Sequence, residues 1–137
     1  MKSRITVGSI IVLVVLSFAL SGCAAATAAN NTSLSVDLTD FTFKPDTFTV
    51  PAGKEITLNV TNKGANVHEF VIMKAGTKVT PPFDDNDEGN IYWEIDDVAP
   101  GTSKSDKFTA PEAGTYQVVC GTPNHVEMGM VGTLTVQ

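Results

Sequence analysis

The sequence predicts an all-β fold, a Greek-key β-sandwich of about eight strands. Three observations predict it. Short apolar–polar alternations recur along residues 34–136, and Pro, Gly and Asn punctuate them at regular spacing. No stretch of that region keeps a convincing amphipathic helical pattern. Short strands with regular turn signals are the pattern of a sandwich. At 137 residues the chain suits one domain.

The first segment is read as a targeting signal and set apart from the fold. Lys2 and Arg4 precede an apolar run over residues 5–20, and Leu20-Ser21-Gly22-Cys23 follows. That order resembles a bacterial lipobox, in which the Cys is acylated on sulfur and becomes the mature N-terminus. The alternative is an uncleaved helical anchor, for which the run is short against a span of about 20 residues. The expected organisation is a signal peptide over 1–22, a lipidated Cys23 with a flexible tether over 23–33, and a folded domain over 34–137. The small, polar, aperiodic residues 24–33 carry the tether reading. Either alternative puts the domain outside the cytoplasmic membrane, in the periplasm or on the outer face of the cell.

The strands follow in order. Leu34, Val36 and Leu38 alternate with polar residues. Phe41, Phe43 and Phe48 come next, closed by Val50-Pro51-Ala52-Gly53. Ile56, Leu58 and Val60 alternate again up to Asn62-Lys63-Gly64. Residues 68–73 and 91–95 read as strands, the second ending at Val98-Ala99-Pro100-Gly101. Another strand ends at Phe108, and residues 116–120 and 133–136 supply the last two. Residues 75–90 break the rhythm and read as a long polar excursion loop.

Composition excludes several classes. The formal charge of −6 argues against a nucleic-acid binder, which would carry a basic face. Loss of residues 1–22 removes Lys2 and Arg4 and takes the charge to −8. The chain holds two His and two Cys, and no Cys-x-x-Cys. Most multi-metal enzymes, four-Cys zinc sites and covalent haem attachment are thereby excluded. With Cys23 acylated, Cys120 is the one free thiol and no internal disulfide can form.

The remaining His and Cys fall into one pattern. Tyr116, Val118 and Cys120 share a strand face, which points the Cys inward. A turn rich in Gly, Pro and Asn brings back His125, and Met130 enters the next strand. His68 heads a strand on the face of Phe70 and Ile72. Two His, one Cys and a weak axial Met are the donors of a blue-copper site: soft sulfur favours Cu(I), and imidazole serves both oxidation states. Singly, each residue has a plainer reading. Cys120 and Met130 would be core fillers and His68 an ordinary structural His. Their joint spacing, with no His to spare, favours a single metal site.

The region from Leu34 to Val136 resembles the small type-1 copper proteins: plastocyanin, pseudoazurin, auracyanin and halocyanin. The resemblance rests on Phe41-Thr42-Phe43-Lys44-Pro45, Val50-Pro51-Ala52-Gly53, Asn62-Lys63-Gly64 and His68-Glu69-Phe70-Val71-Ile72. Ala99-Pro100-Gly101, Gly114-Thr115-Tyr116 and Cys120 with Pro123, His125 and Gly129-Met130 complete it. It implies a cupredoxin-like sandwich holding one type-1 copper on His68, Cys120, His125 and Met130, with no catalytic residues. It also implies that Met130, not Met128, is the axial ligand, and that Met128 joins an apolar surface around His125. Two positions depart from the family. Asn124 stands where Gly or Pro often precedes the second His; Asn tolerates the left-handed backbone such a turn needs. Glu69 stands where Asn commonly tethers the two ligand loops, which puts that tether in question.

Seven acids, Asp84, Asp85, Asp87, Glu88, Glu94, Asp96 and Asp97, crowd into fourteen residues without a Lys or Arg. They form either a solvated loop or a steering surface for a basic redox partner such as a cytochrome domain. Their spacing is not that of a calcium loop. The expected function is a monomeric, membrane-tethered electron carrier between extracytoplasmic redox proteins. The alternatives are copper storage or delivery on the same fold, and a thiol enzyme with Cys120 as nucleophile and His125 as base. The latter lacks a third orienting residue.

Overall fold

The computed structural model describes residues 31–137. The expected signal peptide over 1–22, Cys23 and nearly all of the tether lie outside the described residues. Among the described residues there are nine strands and one four-residue helix. Strands β1 (Ser33–Thr39), β2 (Thr42–Lys44), β4 (Glu55–Asn62) and β7 (Ser103–Thr109) make a sheet ordered β2-β1-β4-β7. Strands β3 (Thr47–Val50), β5 (His68–Met73), β6 (Ile91–Val98), β8 (Gly114–Val119) and β9 (Val131–Val136) make a second, ordered β3-β9-β8-β5-β6. The all-β sandwich is as expected, with one strand more than about eight. The aromatic segment 41–48 divides into β2 and β3, which serve different sheets. Both sheets are mixed, since β1 runs parallel to β4 and β3 parallel to β9.

Alternation drives the layering. In β4, Ile56, Leu58, Val60 and Asn62 are buried, with less buried residues between them. β1 repeats this through Leu34, Val36 and Leu38. These side chains meet Phe43, Phe48, Phe70, Val118, Leu134 and Val136 of other strands in one core. Phe70 sits edge-to-face with both Phe43 and Phe48, at centroid distances of 5.4 and 5.5 Å. At the edge, β7 buries only Phe108 and shows Lys104 and Lys107 to solvent, which discourages pairing with another chain. The Tyr116 hydroxyl donates to Glu112 O (2.7 Å) and anchors the turn into β8.

The excursion 75–90 departs from the polar-loop reading. It contains α1 (Asp85–Glu88), and its apolar residues cover the second face of the larger sheet. Val79 packs with Val71, Met73, Val119 and Val126, flanked by Phe83 and Ile91. β5 is therefore buried on both faces, a case that simple alternation under-reads.

Topology sets where the site can be. β5 and β8 are antiparallel neighbours, with Val71 opposite Val119, so the head of β5 lies beside the tail of β8. The head of β9 lies there too, since Val119 faces Val131. The turn between β1 and β2 is at the same end, because β1 is parallel to β4 and β4 feeds the loop into β5.

Candidate metal centre

Three chain segments converge at that end. His68 opens β5, Cys120 follows the last residue of β8, and Met130 precedes the first residue of β9. His68, Cys120 and Met130 are fully buried, and His125 is 6% exposed. His68 Nδ1 and His125 Nδ1 are 3.2 Å apart. Cys120 Sγ lies 3.3 Å from His125 Nδ1 and 4.0 Å from His68 Nδ1. Donors bound about 2.0–2.3 Å from one first-row metal must lie about 3–4 Å from each other. The three atoms have that spacing, so the donor set fits a single ion.

The loop over 120–130 is closed by its own backbone. His125 N donates to Thr122 O (3.1 Å), Met128 N to Asn124 O (3.2 Å) and Gly129 N to Val126 O (3.0 Å). Met130 N donates to His125 O (2.9 Å), and Cys120 N donates to Met130 O (3.2 Å). Met130 is thus stitched to two ligand residues, and it shares the main core with Cys120. Met128 points out, 59% exposed. Asn124 takes φ 68°, the left-handed conformation that its residue type allows.

The tether questioned at Glu69 is made by other atoms. Glu69 N donates to Cys120 Sγ (3.3 Å). The Thr122 hydroxyl donates to Val67 O (3.4 Å), and its oxygen also lies 3.4 Å from Cys120 Sγ. The Glu69 side chain instead packs close to Gly121, in a cleft of about 460 Å³ shared with Phe83, Glu88, Ile91, Glu94 and Asp96. Burial pushes the Glu69 carboxyl up, and the charges of Asp97, Glu94 and Asp96 add to the push.

Two neighbours of the histidines were not singled out as site residues from the sequence. Asp40 Oδ1 lies 3.2 Å from His68 Nε2. Phe41 sets its ring edge-to-face against His125, with centroids 5.2 Å apart and planes at 87°. Both belong to the β1–β2 turn, where Phe41 has φ 64°. Phe41 carried part of a family motif, but Asp40 had no signal at all.

Burial decides the protonation of the metal-free donors. It pushes the Cys120 thiol up against smaller opposing hydrogen bonds from Thr122 and Glu69 N. It pushes the His125 imidazole down, helped by the nearby His68. A buried thiol held neutral is a poor nucleophile, which works against a thiol enzyme.

Residues 10–136 match the family model of the cupredoxin-like domain. The chain belongs to the cupredoxin-like family. Among solved cupredoxins, dithionite-reduced auracyanin from the photosynthetic bacterium Roseiflexus castenholzii superposes with a TM-score of 0.68 at 31% identity, covering 78% of this chain and 98% of that one. Rusticyanin of Acidithiobacillus ferrooxidans is 35% identical over 107 residues, 69% of this chain and 51% of that protein. The copper-resistant cuproprotein CopI of Rubrivivax gelatinosus is 31% identical over 103 residues, 69% of this chain and 59% of that protein. The chain thus spans about half to three-fifths of the length of these curated relatives. In this cupredoxin, His68, Cys120, His125 and Met130 form the site of one type-1 copper.

The acidic cluster is partly engaged. Asp84 caps α1, accepting from Asn86 N (2.8 Å), while Asp87 Oδ2 accepts from Asp84 N (3.2 Å). Asp96 lies 3.6 Å from Lys104 Nζ. Asp85 and Glu88 are left as charge on the helix.

Proposed function

We propose that this cupredoxin is a blue-copper electron carrier, held to the outer side of a membrane through acylated Cys23. One observation carries the reading: of the four donors only His125 reaches the surface, at 6% exposure. No substrate can approach past buried His68, Cys120 and Met130, yet an electron can leave through the imidazole. Bound there, one copper would supply a one-electron Cu(II)/Cu(I) couple. The loop hydrogen bonds hold the donors in one arrangement, so little need move when the charge changes. The auracyanin match supports the reading, being a relative solved in a dithionite-reduced form.

Exposed Met128, Val131 and Val67 supply apolar contact area for a partner. Asp85 and Glu88, with Asp84 and Asp87, give the charge that steers a basic cytochrome domain toward it. Small, charge-guided contacts suit transient redox encounters.

The test is the visible spectrum of copper-loaded protein. An intense thiolate-to-Cu(II) band that dithionite bleaches is expected, and a colourless protein with one bound copper overturns the assignment. Lipidation is tested separately: the mature protein should carry an acyl mass on Cys23, lost in Cys23→Ala. A second reading, copper storage or delivery, draws on the match to a copper-resistant cuproprotein. Rapid surrender of Cu(I) to a strong chelator would favour it over the carrier.

A further inference from the structure

Asp40 is built into the site more fully than a surface turn residue needs to be. Its carboxylate accepts from Ala65 N at 3.0 and 3.2 Å, from Asn66 N at 3.2 Å and from Asn66 Nδ2 at 3.0 Å. The loop carrying those donors is pinned in turn. Asn62 Nδ2 donates to Asn66 O and Val98 O, both at 2.7 Å, and Asn62 Oδ1 accepts from Gly64 N at 2.8 Å. Gly64 leaves the carboxylate its access to the imidazole. A Cβ there would stand 2.5 Å from Asp40 Oδ1, 2.8 Å from His68 Nε2 and 3.0 Å from Asp40 N. The remaining bond of Asp40 goes to His68 Nε2. Among the described residues His125 Nε2 has no such partner.

Resting on the copper reading above, we propose that Asp40 is a positioning residue for the metal: it holds His68 with its proton on Nε2, presents Nδ1 as a lone pair, and lends negative charge that favours the oxidised ion. A carboxylate accepts only, so the shared proton belongs to the imidazole. The proton on one ring nitrogen fixes the other as the donor, and an anionic acceptor raises the donor strength of that nitrogen. A partly exposed Asp carboxylate that accepts from Ala65 N, Asn66 N and Asn66 Nδ2 is an anion at neutral pH. The two histidines differ in consequence. His68 is fixed and charge-supported from behind, and His125 faces Phe41 and solvent.

Two measurements test this. In the metal-free protein, nitrogen NMR should show His68 as the Nε2–H tautomer, and a Nδ1–H signal overturns the proposal without any variant. In the copper-loaded protein, Asp40→Asn keeps an acceptor for Nε2–H and Asn66 but removes the charge. It should remain blue and favour Cu(I) by about tenfold in the ratio of Cu(I) to Cu(II) affinities. For one electron that is a rise of about 59 mV in potential. An unchanged or lower potential in a blue Asp40→Asn protein overturns the charge role. A role confined to bracing the 62–66 loop would alter thermal stability and leave tautomer and potential alone. Failure of the copper reading is distinct, because the unsubstituted protein would then lack the blue band.

Discussion

Cys120 has two demands on it. The core excludes water from its sulfur, while copper needs the thiolate. Because burial pushes the thiol up, the metal-free protein keeps it protonated at neutral pH, and copper uptake must expel that proton. His125 is pushed down and is neutral there, so it adds no proton. The thiol proton alone should therefore make copper affinity rise by about tenfold per pH unit between about pH 7 and 8. Chelator competition across that range checks it, and a flat profile contradicts it. Cys120→Ser should abolish the blue band. Met130→Leu should stay blue and raise the reduction potential, since a weak donor to Cu(II) is lost. Met128→Leu, changed at an exposed side chain, should leave the potential in place. The donors were legible because three of them share one loop and the chain has no other His. Asp40 was not. It stands far from His68 in sequence, and an Asp in a turn has many ordinary uses.

The strands were legible where one face is buried and one is wet, as in β1 and β4. They were less so where both faces are covered. Val71 and Met73 in β5 break the alternation because Val79 and Phe83 close over them, and that cover comes from a stretch that looks polar. The junction of β9 is another place where local pattern is silent. Gly132 lets β9 approach the residue ahead of β3, and an added Cβ would stand 2.7 Å from Asp46 O. That carbonyl also accepts from Thr133 N (2.8 Å), so it is held where it is. Gly132→Ala should destabilise the fold by about 1–3 kcal/mol, the usual cost of overpacking. Chemical denaturation measures this, and unchanged stability would show that the β2–β3 connection yields freely.

Charge belongs to the whole molecule. The composition showed its sign, and the fold shows that Glu69, Glu88, Glu94 and Asp96 border one cleft beside Gly121, next to the thiolate ligand. Electron exchange with a basic cytochrome domain should slow by about tenfold or more as salt shortens the screening length from about 30 Å to about 8 Å. Stopped-flow rates at rising ionic strength check it. Asp85→Asn with Glu88→Gln should flatten the dependence, whereas Asp84 and Asp87 also cap α1 and would mix charge with structure.

The parallel pairings have a consequence in time. β3 lies against β9, Val50 beside Val136, so the larger sheet waits for its last strand. Cys120, His125 and Met130 lie just ahead of that strand. A chain emerging stepwise from its N-terminus would offer His68 long before Cys120, His125 and Met130 are available. Metal capture is then a late event, coupled to completion of the sandwich, because a half-delivered chain holds one donor of the four.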